Sequence, residues 1–157
     1  MCWGDVSLLK TADGLEYMEF NERATKTRTG ENTGDVRKVK PKMFSVFGSN
    51  NDPVSTFKIY AEKRPQEMNF PDAPFYLGVN NGKIHPDLSG KPWFKKSPVG
   101  VNKLNGLMKT IATKAGLGPN LTNHSGRKTM MQILRDVKVP PTDIVQLSGH
   151  KNLQTVI

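Results

Sequence analysis

The alternation of apolar and polar residues predicts strands in the first third of the chain. Residues 3–9 form a strand-like apolar segment, and the Asp-Gly pair at 13–14 marks a turn. Residues 15–20 then alternate as a second strand requires, and residues 36–46 are expected to return as a third strand after a polar loop. We therefore predict a small antiparallel β-sheet within residues 1–50.

The apolar period changes to that of a helix after residue 52. Asp52 followed by Pro53 is an N-cap with proline at the first helical position, and Pro65 is expected to end this helix. Residues 75–79 predict a short buried strand. The glycine- and proline-rich stretch over residues 80–100 predicts a loop with aromatic anchors.

Three helices are predicted in the last third of the chain. The first ends at Gly116, and its apolar face comprises Leu104, Leu107, Met108, Ile111 and Ala115. The second is capped by Thr122 and Asn123, and its apolar face comprises Met130, Ile133, Leu134 and Val137. The third is short, beginning at Pro140 and ending at Ser148.

These elements indicate one α+β domain that is β-rich over residues 1–50 and helical over residues 52–157. A length of 157 residues is suited to a single core of this kind. Residues 1–9 open on an apolar segment and residues 153–157 resemble the first turn of a helix, whereas termini are normally polar. We therefore expect a truncated domain, a fragment lacking both ends.

The charge balance favours a polyanionic partner. Lys and Arg total 23 against 14 for Asp and Glu, giving a net charge of +9. Such a balance is typical of proteins that bind nucleic acid, with an anionic membrane surface less favoured and an ordinary basic domain as the alternative. With Cys2 as the single cysteine and three histidines, we expect neither disulfides nor a zinc site. We expect no membrane span and no signal peptide, and hence an intracellular protein.

Four residues are candidates for phosphate chemistry. His124 and Arg127, spaced i and i+3 on a predicted helix, lie on one side of it. An imidazole beside a guanidinium combines a proton-transfer group with a bidentate clamp for phosphate oxygens. His150, after Gly149, adds a donor, and Lys26 could protonate a leaving oxygen. Taken singly, each is better explained as a solvated or helix-capping side chain.

The order of these motifs resembles the catalytic domain of tyrosine recombinases, the phage-integrase family. The closer similarity is to the eukaryotic branch derived from Crypton transposons, which includes domains fused to MYM-type zinc fingers or glutamine-rich regions. Four segments carry the resemblance: Thr-Lys-Thr-Arg-Thr-Gly at 25–30, Phe-Tyr-Leu-Gly-Val at 75–79, Asn-His-Ser-Gly-Arg-Lys-Thr at 123–129 and Gln-Leu-Ser-Gly-His-Lys-Asn at 146–152.

The resemblance implies a mainly helical recombinase domain in which a tyrosine attacks the scissile phosphate without a metal or a small-molecule cofactor. Arg127 would be the second arginine, His124 its neighbouring histidine, His150 the later histidine and Lys26 the general acid. The family's first arginine would precede Met1, and its nucleophilic tyrosine would follow His150 by two to three helical turns.

The chain departs from the family at the nucleophile. Its tyrosines, Tyr17, Tyr60 and Tyr76, all precede His124, and none of the seven residues after His150 is a tyrosine. As written, the chain cannot form the covalent intermediate. A third and weaker interpretation is an active recombinase whose ends were lost in gene prediction or cloning, so the sequence is compatible with an enzyme as well as with an inactive domain.

We therefore expect a nuclear DNA-binding domain that contacts duplex phosphates and assembles with itself on DNA. The expected DNA-binding residues are Lys26, Arg28, Arg37, Lys38, Lys40, Arg127 and Lys151. The alternative is a domesticated protein-interaction module of a nuclear transcription or chromatin factor. The basic run over residues 37–42 is either an import signal or the rim of a strand.

Overall fold

A computed structural model describes residues 1–23, 40–80, 92–118, 120–150 and 153–155. The chain divides into two compact units. The first unit comprises Met1–Asp35 and Lys40–Val99, and the second comprises Val36–Val39 and Gly100–Ile157. The fold class is α+β, with four helices and two small antiparallel sheets in the described ranges.

A three-stranded antiparallel sheet opens the first unit, in the order β1 (Val6–Lys10), β2 (Glu16–Phe20) and β3 (Lys42–Phe44). Gly14 turns the chain between β1 and β2 with a φ of +86°, which only glycine adopts without strain. The predicted N-terminal sheet is confirmed. The first strand begins later than predicted, because Trp3–Asp5 form a 3-10 turn closed by a 2.6 Å bond from Cys2 N–H to the Asp5 carboxylate.

Helix α1 (Pro53–Lys63) begins where the sequence predicts. The Asp52 carboxylate accepts the N–H of Ser55 at 2.9 Å and that of Val46 at 2.8 Å, so it caps the helix and anchors the preceding turn. Hydrogen bonds from the Ser55 hydroxyl and then from Val46 hold the pKa of Asp52 well below its ordinary value.

A second, two-stranded sheet contains β4 (Leu77–Val79) and β5 (Phe94–Pro98), which pair antiparallel. The strand predicted at residues 75–79 is confirmed for its last three residues. The loop predicted over residues 80–100 is wrong at β5. The pairing that makes Phe94–Pro98 a strand comes from a segment some 17 residues earlier, so the local glycine and proline content did not predict it.

Arg64 lies at the centre of the first unit and is only 5% exposed. Its guanidinium donates to the carbonyls of Met68 (2.7 Å), Phe75 (2.8 Å) and Pro74 (3.0 Å), and its Cζ lies 4.1 Å from the centre of the Trp3 ring. The small core of Met68, Ala73 and Leu77 packs against the same Trp3 ring and against Phe94. Nothing in the sequence pattern marked Arg64 as buried.

The first residues of the chain are held by residues 71–75. Trp3 N–H donates to Ala73 O at 2.7 Å, and Gly4 N–H donates to Pro71 O at 2.9 Å. A Cβ on Gly4 would lie 2.9 Å from the Pro71 Cβ, so no larger residue fits without a shift of the backbone. This segment and its partners therefore form one closely packed layer.

The second unit contains α2 (Val101–Lys114), α3 (Asn123–Asp136) and α4 (Pro141–Ser148), and the three predicted helices are confirmed. A 3-10 turn at Leu153–Thr155 follows. Met131 of α3 and the fully buried Ile144 of α4 form the core of this unit, with Leu134, Val139 and Val145 packed around them.

The apolar faces predicted for α2 and α3 are partly wrong. Met131 is the buried residue of α3, whereas Ile133 and Val137 are 56% and 66% exposed. On α2, Ala112 is buried and Ile111 is half exposed. Each helix carries more than one row of apolar residues, and the row that is buried is decided by packing against a neighbouring helix.

Candidate nucleic-acid interface

The start of α3 carries the first two candidate residues. Thr122 N–H donates to the Ser125 hydroxyl at 2.9 Å, closing the first turn of α3. The Asn123 side chain donates to Leu104 O of α2 at 3.1 Å, which fixes this end of the helix within the second unit. His124 lies in this turn, and Arg127 follows it on the same side of the helix.

His124 and Arg127 are both exposed and lie three residues apart on α3. Within the described part of the chain, neither side chain has a hydrogen-bond or ion-pair partner. The N-terminal end of a 14-residue helix carries a partial positive charge, which adds to that of the guanidinium. The pair can therefore offer several N–H donors to one oxyanion.

His150 follows α4 through a left-handed residue, Gly149, with a φ of +75°. Gly149 N–H donates to Val145 O at 3.0 Å and ends the helix. The half-buried His150 ring places Nδ1 at 2.7 Å from the hydroxyl of Ser148, which is 5% exposed. The ring is thereby held by its own helix terminus.

His124, Arg127 and His150 all belong to the second unit, and the helices that carry them pack through Met131 and Ile144. The structure joins His124 and Arg127 on one helix face and places His150 after the helix packed against it. No hydrogen bond connects His150 to either of them among the described residues.

Several basic residues of the first unit that the structure describes are paired with carboxylates, and Lys40 and Lys42 are two of them. Lys40 Nζ lies 3.1 Å from Glu19 Oε1, and Lys42 Nζ lies 3.9 Å from Glu19 Oε2. Lys40 is thus an ion-pair partner as well as a predicted DNA contact. Five of the other predicted DNA-binding residues lie outside the described residues: Lys26, Arg28, Arg37, Lys38 and Lys151.

Arg23, at the edge of the same basic segment, binds Asp72 at 2.9 Å and also Asp5. Burial alone would raise the pKa of Asp5, but the hydrogen bond from Cys2 N–H and the Arg23 guanidinium outweigh it and lower that pKa. The hydrogen bonds to Asp72 and then to Asp5 raise the pKa of Arg23. The role of Arg23 in this structure is to bind the chain start and residue 72 together.

The Tyr60 hydroxyl serves the packing of the first unit. It donates to Phe75 O and accepts from Leu77 N–H at 3.1 Å and from Arg64 Nη1 at 3.0 Å. A phenol with both lone pairs and its proton engaged is poorly suited to attack a phosphate.

Sequence reasoning missed a cavity of about 590 Å³ in the first unit. Its walls come from the three-stranded sheet, α1 and residues 75–76, and they are almost entirely apolar. Side chains from five separated segments line it, among them Met18, Phe20, Met43, Phe57, Phe75 and Tyr76. Since no local motif brings these segments together, the sequence carries no signal for the cavity.

Comparison of the chain with models of protein families, with curated protein sequences and with solved structures gives no match. Among the residues that the structure describes, no three His, Cys, Asp or Glu side chains form a group able to hold a metal ion. Within the same residues, every helix is too short or too polar to span a membrane.

Proposed function

We propose that this chain is the DNA-binding domain of a Crypton-type tyrosine recombinase and that its second unit contacts the phosphates of duplex DNA. The observation that carries the proposal is the exposed pair of His124 and Arg127 near the N-terminal end of α3. Both side chains are without a partner in the described residues, and both are donors suited to phosphate oxygens.

The charge of the chain supports the same conclusion. A net charge of +9 attracts a polyanion over a distance of about one Debye length, roughly 8–10 Å at physiological salt. Arg127 supplies a planar fork for two phosphate oxygens, and His150 adds a donor from the neighbouring helix terminus. Contacts of this kind bind the DNA backbone and carry no sequence information.

The proposal covers binding and not strand cleavage by this chain. All three of its tyrosines precede the segments at 123–129 and 146–152, and the Tyr60 hydroxyl is engaged in packing. A nuclear location and self-association on DNA are parts of the proposal, because they follow from a DNA-binding function in a eukaryotic recombinase.

The experiment is a titration of a fluorescently labelled duplex, followed by anisotropy at several salt concentrations. We expect tight binding at low salt and a linear fall of log K with log salt. Arg127→Ala should weaken binding and reduce the magnitude of that slope by about 1, because one phosphate contact is lost.

The matched control is Arg135→Ala, which removes the same residue type from the last turn of α3. Arg135 lies about 12 Å further along the helix at 1.5 Å per residue. The control should leave the salt slope unchanged. A protein that does not bind duplex at low salt, or an Arg127→Ala variant that behaves like Arg135→Ala, would refute the proposal.

The second candidate function is a protein-interaction module, and the exposed apolar row of α3 favours it. Met130, Ile133 and Val137 recur at helical spacing and are 37%, 56% and 66% exposed. A partner bound there would be lost on Ile133→Glu and retained in Arg127→Ala. A DNA role predicts that duplex binding is weakened by Arg127→Ala and retained in Ile133→Glu. Circular dichroism checks that both variants are folded.

A further inference from the structure

The hydrogen bonds around His150 determine which of its ring nitrogens is free. Nδ1 lies 2.7 Å from Ser148 Oγ, a normal hydrogen-bond length. Because Nδ1 is engaged by its own helix terminus, Nε2 is the ring nitrogen that remains to meet a ligand. Whether Nε2 donates or accepts depends on where the Ser148 proton lies.

Two acceptors compete for the Ser148 hydroxyl proton. One is His150 Nδ1 at 2.7 Å, and the other is Val145 O at 3.4 Å. O–H donors normally approach their acceptors to about 2.5–3.0 Å, so the contact with Val145 is too long to hold the proton. Val145 O already accepts the N–H of Gly149 at 3.0 Å, so this carbonyl has a hydrogen-bond donor without the Ser148 hydroxyl. Nδ1 is therefore the better-placed acceptor for the Ser148 hydroxyl.

A neutral imidazole has one N–H and one acceptor nitrogen. When Nδ1 accepts from Ser148, the ring proton must be on Nε2. The ring then presents an N–H donor to its surroundings without having to be charged. This arrangement depends on Gly149, whose positive φ turns the chain so that residue 150 returns towards residue 148.

We propose that Ser148 is a positioning residue, which holds the neutral ring of His150 with the proton on Nε2 so that this N–H donates to a phosphate oxygen of the DNA backbone. The ligand in this inference, a DNA phosphate, rests on the proposed function. The position of the proton on the His150 ring does not. The position of the ring proton can be measured in the protein alone, before any DNA is added.

The first experiment is ¹⁵N NMR of the histidine side chains in the full chain, in alkaline buffer in which imidazole side chains are neutral. The His150 signals are assigned by their absence in His150→Gln. We expect a protonated Nε2 and an unprotonated Nδ1 in the wild-type protein. A proton on Nδ1 overturns the inference, and this measurement needs no variant that might fail to fold.

Ser148→Ala removes the donor and should shift His150 towards a mixture of the two tautomers. Thr142→Ala is the matched control, because it removes a hydroxyl from an exposed position of the same helix. It should leave the His150 spectrum unchanged. If the tautomer of His150 is the same in wild type and Ser148→Ala, the serine does not position the ring.

The second experiment is a double-mutant cycle on duplex binding with Ser148→Ala and His150→Ala. Losing one neutral hydrogen bond should weaken binding about 2- to 10-fold. Ser148→Ala should have no further effect when His150 is absent, because its role acts through that ring. An equal loss in both backgrounds overturns the positioning role.

The two proposals can fail separately. A protein with the proton on Nε2 that does not bind duplex refutes the proposed function and leaves the geometry standing. A protein that binds duplex with the proton on Nδ1 refutes the present inference and leaves the proposed function standing.

Discussion

Replacing Arg64 by methionine should destabilise the first unit more than any surface change. The substitution keeps a long side chain but leaves the carbonyls of Met68 and Pro74 without the Arg64 donor, whereas Phe75 O keeps the Tyr60 hydroxyl. Each buried acceptor left unpaired costs about 1 kcal/mol or more, and the contact with the Trp3 ring adds about 1 kcal/mol. We expect a loss of about 3 kcal/mol, a factor of about 150 in the folding equilibrium.

Urea unfolding followed by tryptophan fluorescence measures this loss directly, because Trp3 lies against the guanidinium. Far-UV circular dichroism of the same samples shows whether the helices of the second unit unfold in the same transition. Arg64→Lys keeps the charge but cannot supply the fork of donors, so it should retain only a small part of the lost stability.

The control is Lys58→Met, which breaks the exposed ion pair with Glu16 at 2.5 Å. An exposed pair contributes about 0–1 kcal/mol, so this variant should stay close to the wild type. The reasoning is refuted if Arg64→Met costs no more than Lys58→Met, or if Arg64→Lys is as stable as the wild-type protein.

Three further predictions concern stability. Ile144→Ala should cost about 2–5 kcal/mol in denaturant unfolding, because Ile144 is fully buried and its removal opens a cavity. Gly149→Ala should cost about 1–2 kcal/mol and lower the Tm, because its φ of +75° strains any residue with a Cβ. Acid should destabilise the first unit: the contribution of Asp52, whose pKa is lowered, is complete above its ordinary value of 3.8 and is lost as pH falls below it.

Each of these predictions has its own control. Ile133→Ala, at a half-exposed position, should cost far less than Ile144→Ala, and equal costs would contradict the assigned core. Gly118→Ala should be nearly neutral beside Gly149→Ala, because a Cβ at Gly118 meets no atom within 4 Å. Asp52→Asn should show a shallower loss of stability below pH 3.8 than the wild type, and an unchanged slope would exclude Asp52 as a source of it.

Features with local signals were predictable from the sequence. Asp52 caps α1 and Pro53 occupies its first position, so the start of this helix is determined by neighbouring residues alone. The end of α4 is also a local feature, because Gly149 follows its last residue in the left-handed conformation that ends helices. The adjacency of His124 and Arg127 also followed from spacing alone, because helical geometry places i and i+3 on one side.

Features made by distant segments were not predictable. Strand β5 exists because β4 pairs with it, and Arg64 is buried because residues 68–75 fold back over it. The contact between Ser148 and His150 depends on the left-handed conformation of Gly149. The pattern of apolar and polar residues does not predict which side chains such a residue brings together. For Lys26, Arg28 and Lys151 the sequence prediction stands as a prediction.

The attachment of Trp3 to residues 71–75 has a consequence for synthesis on the ribosome. Trp3 is made before Ala73, which accepts its N–H and follows 70 positions later. At about 5–20 residues per second, translation separates the two by several seconds. During that interval Trp3 has no Phe75 ring to pack against, so the nascent first unit exposes apolar surface that a chaperone can bind. Slower translation between these positions would lengthen that exposure.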